Sequence, residues 1–353
     1  MSSKKSFGLW DVLVYNELVI HFIWASKYPL IPGTGGSEVY TTGQMRELMS
    51  RGIDCDVITV NTYGKKDGRK FYPDLKFCDL TGEDLADLDG TCIFVNLPPP
   101  ISKTKNQSYV ILHGPPPRLE EERAMHVAAV KGKKILVSSY AAAEAWGNYF
   151  GIMRSEISVV YPFADELFGK LKRTKNKRPV IVYAGRLTPN KGIYLLLAAM
   201  HDKRMVNYNF KIVAASKHTT DGKIIYKMLK VHPNIKLIEP LTHPKKMAEL
   251  LVKCDVLVMP TSASLFMETF GMLSIEAQHA GCRVVASNCG GLPETQVGGL
   301  ILIEPENPVA LADGIVEAAS MGHLTNQQRK KIEKFFTVKD SVDNLLKAIQ
   351  FSA

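Results

Sequence analysis

Residues 255–276 read Asp255-Val-Leu-Val-Met-Pro260-Thr-Ser-Ala-Ser-Leu-Phe-Met-Glu268-Thr-Phe-Gly271-Met-Leu-Ser-Ile-Glu276, and they combine a strand, a loop and the start of a helix. The apolar run that ends at Pro260 predicts a buried strand, and Gly271 is suited to begin a helix. Glu268 then lies on the loop, and Glu276, eight positions later, lies within the first two turns of the helix. A strand followed by a helix is the repeating unit of a parallel α/β sheet.

The start of this helix is also a predicted anion site. Backbone N–H groups at Gly271, Met272 and Leu273 have no partner within the helix, and the helix dipole favours negative charge there. Acids beside such a site suggest a ligand that carries hydroxyl groups around its charge, as a sugar nucleotide does. Each acid also has a plainer reading, Glu268 as a helix-capping acid and Glu276 as a surface acid.

Composition narrows the class of protein. With 353 residues, 46% hydrophobic and 22% charged, the chain is expected to be an ordinary globular protein of two domains. Its six cysteines show no C-x-x-C pair and no metal-ligand spacing, so we expect reduced core thiols and a cytoplasmic location. The apolar run Leu18–Ala25 is too short to span a bilayer.

Short apolar runs alternate with amphipathic stretches along the chain, and this predicts parallel sheets with helices on both faces. In the first half the predicted strands are Leu18–Trp24, Asp54–Val60, Thr91–Asn96, Tyr109–His113, Lys134–Ser138 and Ile157–Tyr161, and the helices include Gly36–Ser50 and Ala141–Phe150. In the second half the predicted strands are Val180–Ala184, Phe210–Ala214, Ile235–Ile238, Val256–Met259, Arg283–Ala286 and Leu300–Ile303. The helices among them include Ile193–Met200, Asp221–Val231, Pro244–Lys253, Met272–Ala280 and Pro308–Ser320. The sequence therefore predicts two α/β domains of similar size, with a boundary near residue 163.

The net charge of +9 leaves three classes of partner open: nucleic acid, an anionic membrane surface, or anionic small substrates. The densest basic run, Lys170 to Arg178, contains no aromatic residue and reads as a linker between the halves. Because no nucleic-acid-binding signature accompanies it, we expect no nucleic-acid partner. We interpret the run as a solvated surface loop, with a peripheral contact to the inner membrane face as the alternative.

A glycine-rich loop precedes the first predicted helix and reads Gly33-Thr-Gly35-Gly36-Ser37-Glu38. Glycines let the backbone approach a phosphate or a sugar closely. The dinucleotide fingerprint fails because Glu38 occupies its last glycine position, and the lysine of a P-loop is absent. A simple tight turn between strand and helix remains the alternative.

Two further sets of residues follow strands, where ligands of open α/β sheets bind. Arg186 and Lys191 lie five positions apart on a turn. The planar guanidinium of arginine and the compact ammonium of lysine could together neutralise a diphosphate. Charged side chains on an ordinary turn are also common. His113 ends the strand before Gly114-Pro-Pro-Pro117, and a lone histidine there is more often structural than catalytic. No histidine spacing predicts zinc.

Together these elements resemble the retaining glycosyltransferases of family 4, which have the GT-B fold. The resemblance covers nearly the whole chain, and its most specific part is the E-x7-E element, Glu268 to Glu276, followed by Gly290-Gly-Leu-Pro-Glu294. It implies two Rossmann-like domains facing a central cleft, with the C-terminal helix crossing back to the first domain. The expected domains are residues 1–163 with the helix 338–353, and residues 164–337.

The resemblance also implies a role for each candidate residue. Arg186 and Lys191 would bind the donor diphosphate together with N–H groups near Gly271, Met272 and Leu273. Glu276 would hold the ribose, and Glu268 would hold and orient the transferred sugar. His113 would reach that sugar from the first domain, and Gly35 and Gly36 would lie near the phosphates and the acceptor.

The implied reaction moves a hexose-type sugar from a nucleoside-diphosphate sugar, with a uridine donor favoured, to an acceptor hydroxyl with retention. No bound metal and no cofactor are expected. The acceptor is open: a sugar, a lipid-linked glycan or a protein. Two alternatives remain, a sugar-nucleotide epimerase on the same fold and a non-catalytic sugar-nucleotide-binding subunit.

Overall fold

The computed structural model describes residues 19–24, 30, 35–60, 69–81, 83–98, 103–118 and 120–350. The predicted extended segment at residues 11–15 and the first half of the glycine-rich loop lie outside the described residues. The chain divides into two compact units. The second comprises Ser138–Trp146 and Val159–Asn344, and the first comprises Gly147–Ser158 with the described residues before Ser138 and from Leu345 onward.

The described part of the first unit contains a seven-stranded sheet with strand order β3-β2-β1-β4-β5-β6-β7. The pairings from β3 to β6 are parallel. Its strands are β1 (Ile20–Trp24), β2 (Cys55–Val60), β3 (Phe77–Leu80), β4 (Thr91–Val95), β5 (Ser108–Leu112), β6 (Lys133–Val137) and β7 (Ile157–Val159). The helices before β7 are α1 (Gly36–Ser50), α2 (Arg123–Val130) and α3 (Tyr140–Phe150), and α3 belongs to the second unit as far as Trp146.

The second unit contains a six-stranded parallel sheet with strand order β10-β9-β8-β11-β12-β13. Its strands are β8 (Val180–Arg186), β9 (Asn209–Ala215), β10 (Ile235–Ile238), β11 (Val256–Met259), β12 (Arg283–Ser287) and β13 (Leu300–Ile303). The helices that follow β7 are α4 (Leu167–Lys170), α5 (Ile193–Ala199), α6 (Thr220–Lys230), α7 (Pro244–Leu251), α8 (Met272–His279), α9 (Pro308–Met321), α10 (Asn326–Ile332) and α11 (Val338–Ala348).

The central strands β8, β11 and β12 of the second sheet are buried on both faces, which explains their near-continuous apolar sequences. Along β8, Ile181 and Tyr183 join one core cluster while Val180 and Val182 join the cluster on the opposite face. Alternate side chains of a strand point to opposite faces, so both must be apolar when helices cover both. The predicted α/β class is therefore confirmed.

The predicted elements are confirmed in type, with ends shifted by a few residues at most. The sequence pattern missed β3, α2, α4 and α10. β3 is a half-buried edge strand whose Phe-Cys-Asp-Leu sequence contains no apolar run, and α4 is a single turn. Residues from Leu345 onward belong to the first unit, where the Tyr109 hydroxyl donates to the carbonyl of Ile349 at 2.8 Å.

The interpretation of the basic segment, Lys170 to Arg178, as a wholly solvated loop is wrong, because the side chain of Arg173 is buried. Its guanidinium donates to the carbonyls of Leu251, Cys254 and Ala280 and is 6% exposed. These carbonyls lie at or just beyond the C-terminal ends of α7 and α8, where unpaired carbonyl groups favour a cation. Arg173 thus fastens the segment to the second unit.

No helix in the described ranges is both long enough and apolar enough to cross a bilayer.

Candidate active site

The order of strands brings three loops of the second unit together. β8, β11 and β12 are consecutive in the sheet, so the loops that leave their carboxyl ends are neighbours. These loops carry Lys191, Glu268 and Gly290 respectively. Lys191 and Glu268 are 77 positions apart in the sequence, and the order of strands places them at the same edge of the sheet.

The loops after β8 and β11 are in close contact. Gly192 has a φ of +72°, and a Cβ built there would lie 1.6 Å from the carbonyl oxygen of Pro260. Only glycine tolerates both this conformation and this approach. The N–H of Ser262 donates to the carbonyl of Asn190 at 3.1 Å and fastens the same two loops. Lys191, next to Gly192, is thereby held over the loop that follows β11.

Lys191 forms an ion pair with Glu268, with 2.6 Å between Nζ and Oε2. The two side chains are only 18% and 15% exposed. The ammonium also lies 4.5 Å from the ring centroid of Phe266, and the Thr261 hydroxyl donates to Glu268 Oε2 at 3.5 Å. A half-desolvated ion pair interacts more strongly than a surface pair, and removing either partner leaves the other charge uncompensated.

The loop after β12 supports the backbone beneath Glu268. The N–H of Gly291 donates to the carbonyl of Glu268 at 2.7 Å. A Cβ at Gly290, where φ is +55°, would lie 2.2 Å from that same carbonyl oxygen. The Gly290-Gly291 pair is therefore needed for close packing against the loop that carries Glu268.

The helix α8 begins beside this ion pair, and Gly271, at φ +98°, precedes its first turn. No side chain of the described residues caps the helix, so N–H groups of its first turn stay available to an anion. A pocket with about 470 Å³ of empty space, part of it open to solvent, lies here. Its lining consists of Tyr183, Ala184, Gly185, Lys191, Val258, Met259, Thr261, Glu268, Gly271, Met272 and Leu273.

The structure therefore brings five predicted site residues around one pocket and leaves two beside it. Arg186 is exposed at the end of β8, and Glu276 is half-buried on α8; neither lines the pocket. Burial, with a smaller contribution from the Asp165 carboxylate, raises the pKa of Glu276 to about 7. Glu276 is thus partly protonated near neutral pH and can donate as well as accept a hydrogen bond.

The three candidates of the first unit lie at the carboxyl edge of its sheet. Gly35 and Gly36 begin α1, and His113 directly follows β5. The ring of His113 packs edge-to-face against Tyr40 of α1, with centroids 4.8 Å apart. Burial lowers the pKa of His113 to about 4, so the imidazole is neutral at physiological pH.

Sequence reasoning missed several residues that shape the site of the second unit. Tyr183, buried in the pocket wall, donates its hydroxyl to the carbonyl of Arg186 at 2.9 Å and holds the turn before Lys191. Burial, with a smaller contribution from the Glu268 carboxylate, raises the pKa of Tyr183 well above its usual value. A tyrosine in a strand reads as core, so its sequence carried no signal of this hydrogen bond.

Glu294 was recognised only as part of a motif, and the structure shows what it contacts. Its carboxylate accepts from the N–H groups of Tyr140 and Ala141 at the start of α3, at 2.9 and 2.8 Å. It also accepts from the Tyr161 hydroxyl at 2.7 Å. Leu292, two residues earlier, lies where a Cβ of Gly271 would collide with it. Glu294 thus anchors the turn that packs against the start of α8.

Comparison with known families identifies the second unit. Residues 166–335 match the model of the family described as glycosyl transferases group 1. The chain is 29% identical over 161 residues to lipopolysaccharide 1,2-N-acetylglucosaminetransferase of Salmonella typhimurium, a match covering 43% of this chain and 41% of that protein. The alignments with this and two further curated relatives span only 41–60% of those relatives' own lengths.

Solved structures resemble the chain over nearly its whole length. A glycosyltransferase from Rickettsia africae superposes with a TM-score of 0.77 at 17% identity, covering 95% of this chain and 98% of the other. Anabaena Alr3699/HepE, solved in complex with UDP-glucose, superposes with a TM-score of 0.67 at 15% identity, covering 94% and 99%. The chain thus has the GT-B fold, and its residues 166–335 match the model of the glycosyl transferases group 1 family.

Proposed function

We propose that this protein is a retaining glycosyltransferase of family 4 that moves a hexose-type sugar from a nucleoside-diphosphate sugar to an acceptor hydroxyl. The observation that carries the proposal is the Lys191–Glu268 pair beside the uncapped start of α8. A cation, a set of N–H groups and an acid around one pocket suit a diphosphate that is joined to a polyhydroxylated sugar.

The diphosphate would bind Lys191 and the N–H groups of Met272 and Leu273. Lys191 would then exchange part of its contact with Glu268 for a phosphate oxygen, which releases the carboxylate to accept from sugar hydroxyls. Arg186 would add a second cation from the exposed end of β8. We further propose that these groups take the place of a metal ion, so that turnover is unchanged by EDTA.

The proposed chemical step is the one that the resemblance to family 4 implies. The bond between the anomeric carbon and the phosphate oxygen breaks, and a bond to the acceptor oxygen forms on the same face of the sugar. The acceptor proton passes to the departing phosphate oxygen, so no separate general base is required. Catalysis is then positioning together with stabilisation of the negative charge that develops on the diphosphate.

Two further contacts complete the proposed donor site. Glu276 would bind the ribose hydroxyls, and its raised pKa makes this contact sensitive to pH near neutrality. Neutral His113 would donate a hydrogen bond to the transferred sugar. A uridine nucleotide is the favoured donor, and the solved HepE complex supports it only through a shared fold.

The experiment is donor turnover by the purified chain without acceptor. UDP-glucose, UDP-N-acetylglucosamine, UDP-galactose and GDP-mannose are each incubated with enzyme and EDTA, and the released nucleoside diphosphate is quantified. We expect slow release from one donor, absent in Glu268→Gln, which keeps the shape of the side chain without its charge. Conversion of a donor into its epimer without release would favour the epimerase instead. Binding of a donor without release across an acceptor panel would favour a non-catalytic subunit.

A further inference from the structure

The helix α6 carries two apolar stripes, although the core needs only one. Ile225 and Leu229 are fully buried and pack into the core of the second unit. Ile224, Met228 and Val231 form a second stripe at positions i, i+4 and i+7, and they are 53%, 45% and 83% exposed. Residues with this spacing share one side of a helix, so these three form one continuous apolar strip.

No other helix among the described residues of the second unit carries two exposed large apolar side chains at positions i and i+4 or i and i+7. Val206, Val309 and Met321 are also 52–64% exposed, but they lie on separate elements or at opposite ends of one helix. Single exposed apolar residues are normal on a protein surface, whereas a continuous strip marks an interaction surface. Helix packing within the second unit therefore does not explain Ile224, Met228 and Val231.

Lysines border the exposed strip. Lys223, Lys227 and Lys230 are exposed on α6, and none of them forms an ion pair among the described residues. Lys227 and Lys230, in the last turn, also stabilise the helix dipole, which is a sufficient structural reason for those two charges. It does not explain Lys223 in the first turn, nor the apolar strip beside all three. Asp221 is the one acid on this helix.

We propose that the exposed face of α6 docks on an anionic lipid bilayer. The α6 face is defined by Ile224, Met228 and Val231 with Lys223, Lys227 and Lys230. An apolar strip beside a row of lysines fits the boundary between acyl chains and negatively charged headgroups, with the helix lying in the plane of the membrane. Charge complementarity selects this occupant over a second copy of the chain, because two α6 faces would oppose their lysines to each other.

This proposal is independent of the donor site. The α6 face uses no residue of the pocket beside Lys191 and Glu268. It assigns the surface contact to the second unit, on a different element from the basic segment around Arg173. Failure of vesicle binding would therefore leave the proposed activity untouched, and loss of donor turnover would leave the docking surface untouched.

The test is co-sedimentation of the full chain with large vesicles of phosphatidylcholine alone or mixed equally with phosphatidylglycerol. We expect binding to the mixed vesicles at low salt, weak binding to the neutral ones, and a strong decrease at high salt. The variant Lys223→Gln/Lys227→Gln/Lys230→Gln should weaken binding roughly a hundredfold, given about fivefold for each lysine near an anionic surface. Ile224→Ser/Met228→Ser/Val231→Ser should weaken binding at least about tenfold.

Matched control variants distinguish a specific effect of the α6 face from a general effect of lost positive charge or lost apolar surface. Lys245→Gln/Lys246→Gln/Lys253→Gln removes three exposed lysines elsewhere, and Val206→Ser/Val309→Ser/Met321→Ser removes comparable apolar surface. Both controls should bind within about threefold of wild type if each change acts only locally. Donor turnover should be unchanged in all four variants. The thermal midpoint should fall only slightly in the α6 lysine variant, which loses two charges from the last turn of the helix, and stay unchanged in the lysine control.

Three results would overturn the proposal. The wild-type chain fails to bind anionic vesicles at low salt, or it binds neutral vesicles equally well, or the α6 variants and their controls lose binding to the same extent. Binding of an acidic protein to the α6 face, without any binding to vesicles, would assign the surface to a different partner and also reject the lipid.

Discussion

The carboxyl edges of both sheets carry candidate residues, but the surrounding residues fix the candidates of the second sheet more tightly than those of the first. At the second edge, Gly192 and Gly290 lie where a Cβ would collide with backbone oxygens, and Lys191 is paired with Glu268. At the first edge, no described atom lies within 4 Å of a Cβ built on Gly35. His113 there carries no charge at neutral pH.

This difference indicates what each edge is built for. A site whose loops are fastened to each other and whose charges are already in place costs little reorganisation when a charged ligand binds. The second edge has these properties, and it lies within the segment that matches the family model. Among the described residues, the first edge leaves space beside Gly35, so its packing does not hold this position as it holds Gly290.

The largest expected effect is on the charge of the second edge. Lys191→Ala should lower kcat/KM for donor turnover by about tenfold to more than a hundredfold, since a charge-assisted contact contributes roughly 1.5–3 kcal/mol. Steady-state release of nucleoside diphosphate measures it. The control is Lys177→Ala, which changes an exposed lysine just before the amino end of β8, at the opposite end of that strand from Lys191. An unchanged kcat/KM in Lys191→Ala would remove this residue from the diphosphate site.

The next effect concerns Glu276, the half-buried acid on α8 beside that edge. The pKa of Glu276, about 7, lies above the value in an unfolded chain, so the folded protein binds its proton more tightly. Stability is therefore lost as pH rises from about 4.5 to 7. Glu276→Gln should cancel that loss and gain about 3 kcal/mol relative to wild type between pH 4.5 and pH 8.

Urea unfolding at a series of pH values measures this difference. The exposed acid Glu249 on α7 provides the control variant Glu249→Gln. Parallel stability curves for wild type and Glu276→Gln would show that the carboxylate is compensated in the folded protein.

A pair of glycine substitutions compares the two edges directly. Gly290→Ala should destabilise the protein by about 1–3 kcal/mol, because its Cβ meets the Glu268 carbonyl and its φ is positive. Gly35→Ala should change stability by less than about 0.5 kcal/mol. Thermal unfolding of both variants tests the contrast, and equal destabilisation would mean that the two edges are held equally tightly.

The smallest expected effect is at the first edge. A neutral imidazole that donates one hydrogen bond contributes about 0.5–1.5 kcal/mol, so His113→Gln should lower kcat/KM by about threefold to tenfold. Because the pKa of His113 is about 4, profiles of wild type and variant should run parallel from pH 5.5 to 8. A wild-type decline between pH 7 and 6 that His113→Gln abolishes would show that the imidazole titrates in this range.

Several helices and strands could be predicted from the sequence because the residues within each element are enough to indicate its type. The strand Val256–Met259 and the helix Gly36–Ser50 have the predicted bounds, since apolar runs and glycine-led helices are local signals. The segment around Arg173 was misread for the opposite reason. Whether a charged side chain is solvated or bound to carbonyl groups depends on α7 and α8, which follow it in the chain by many residues.

The candidate site divides in the same way. Lys191 and Glu268 were identified as separate motifs, while their ion pair was not predicted, because it needs β8 and β11 to be neighbours in the sheet. Tyr183 was not assigned a role, since a tyrosine in a strand reads as core and its hydrogen bond goes to the backbone at the end of its own strand. Glu294 was not assigned a role, since it accepts from a backbone N–H 154 positions earlier in the chain. The exposed strip on α6 escaped notice because Ile224 and Ile225 are the same residue type, and only burial separates them.

The amino-acid sequence alone determined two α/β halves, because buried strands need apolar side chains on both faces. It also showed which charged and polar side chains follow those strands. Which of those groups meet was decided by the packing of loops: Gly192 against Pro260, and Gly290 against Glu268. Contacts of this kind depend on strand order and on steric fit between distant segments. A local pattern of residues contains neither.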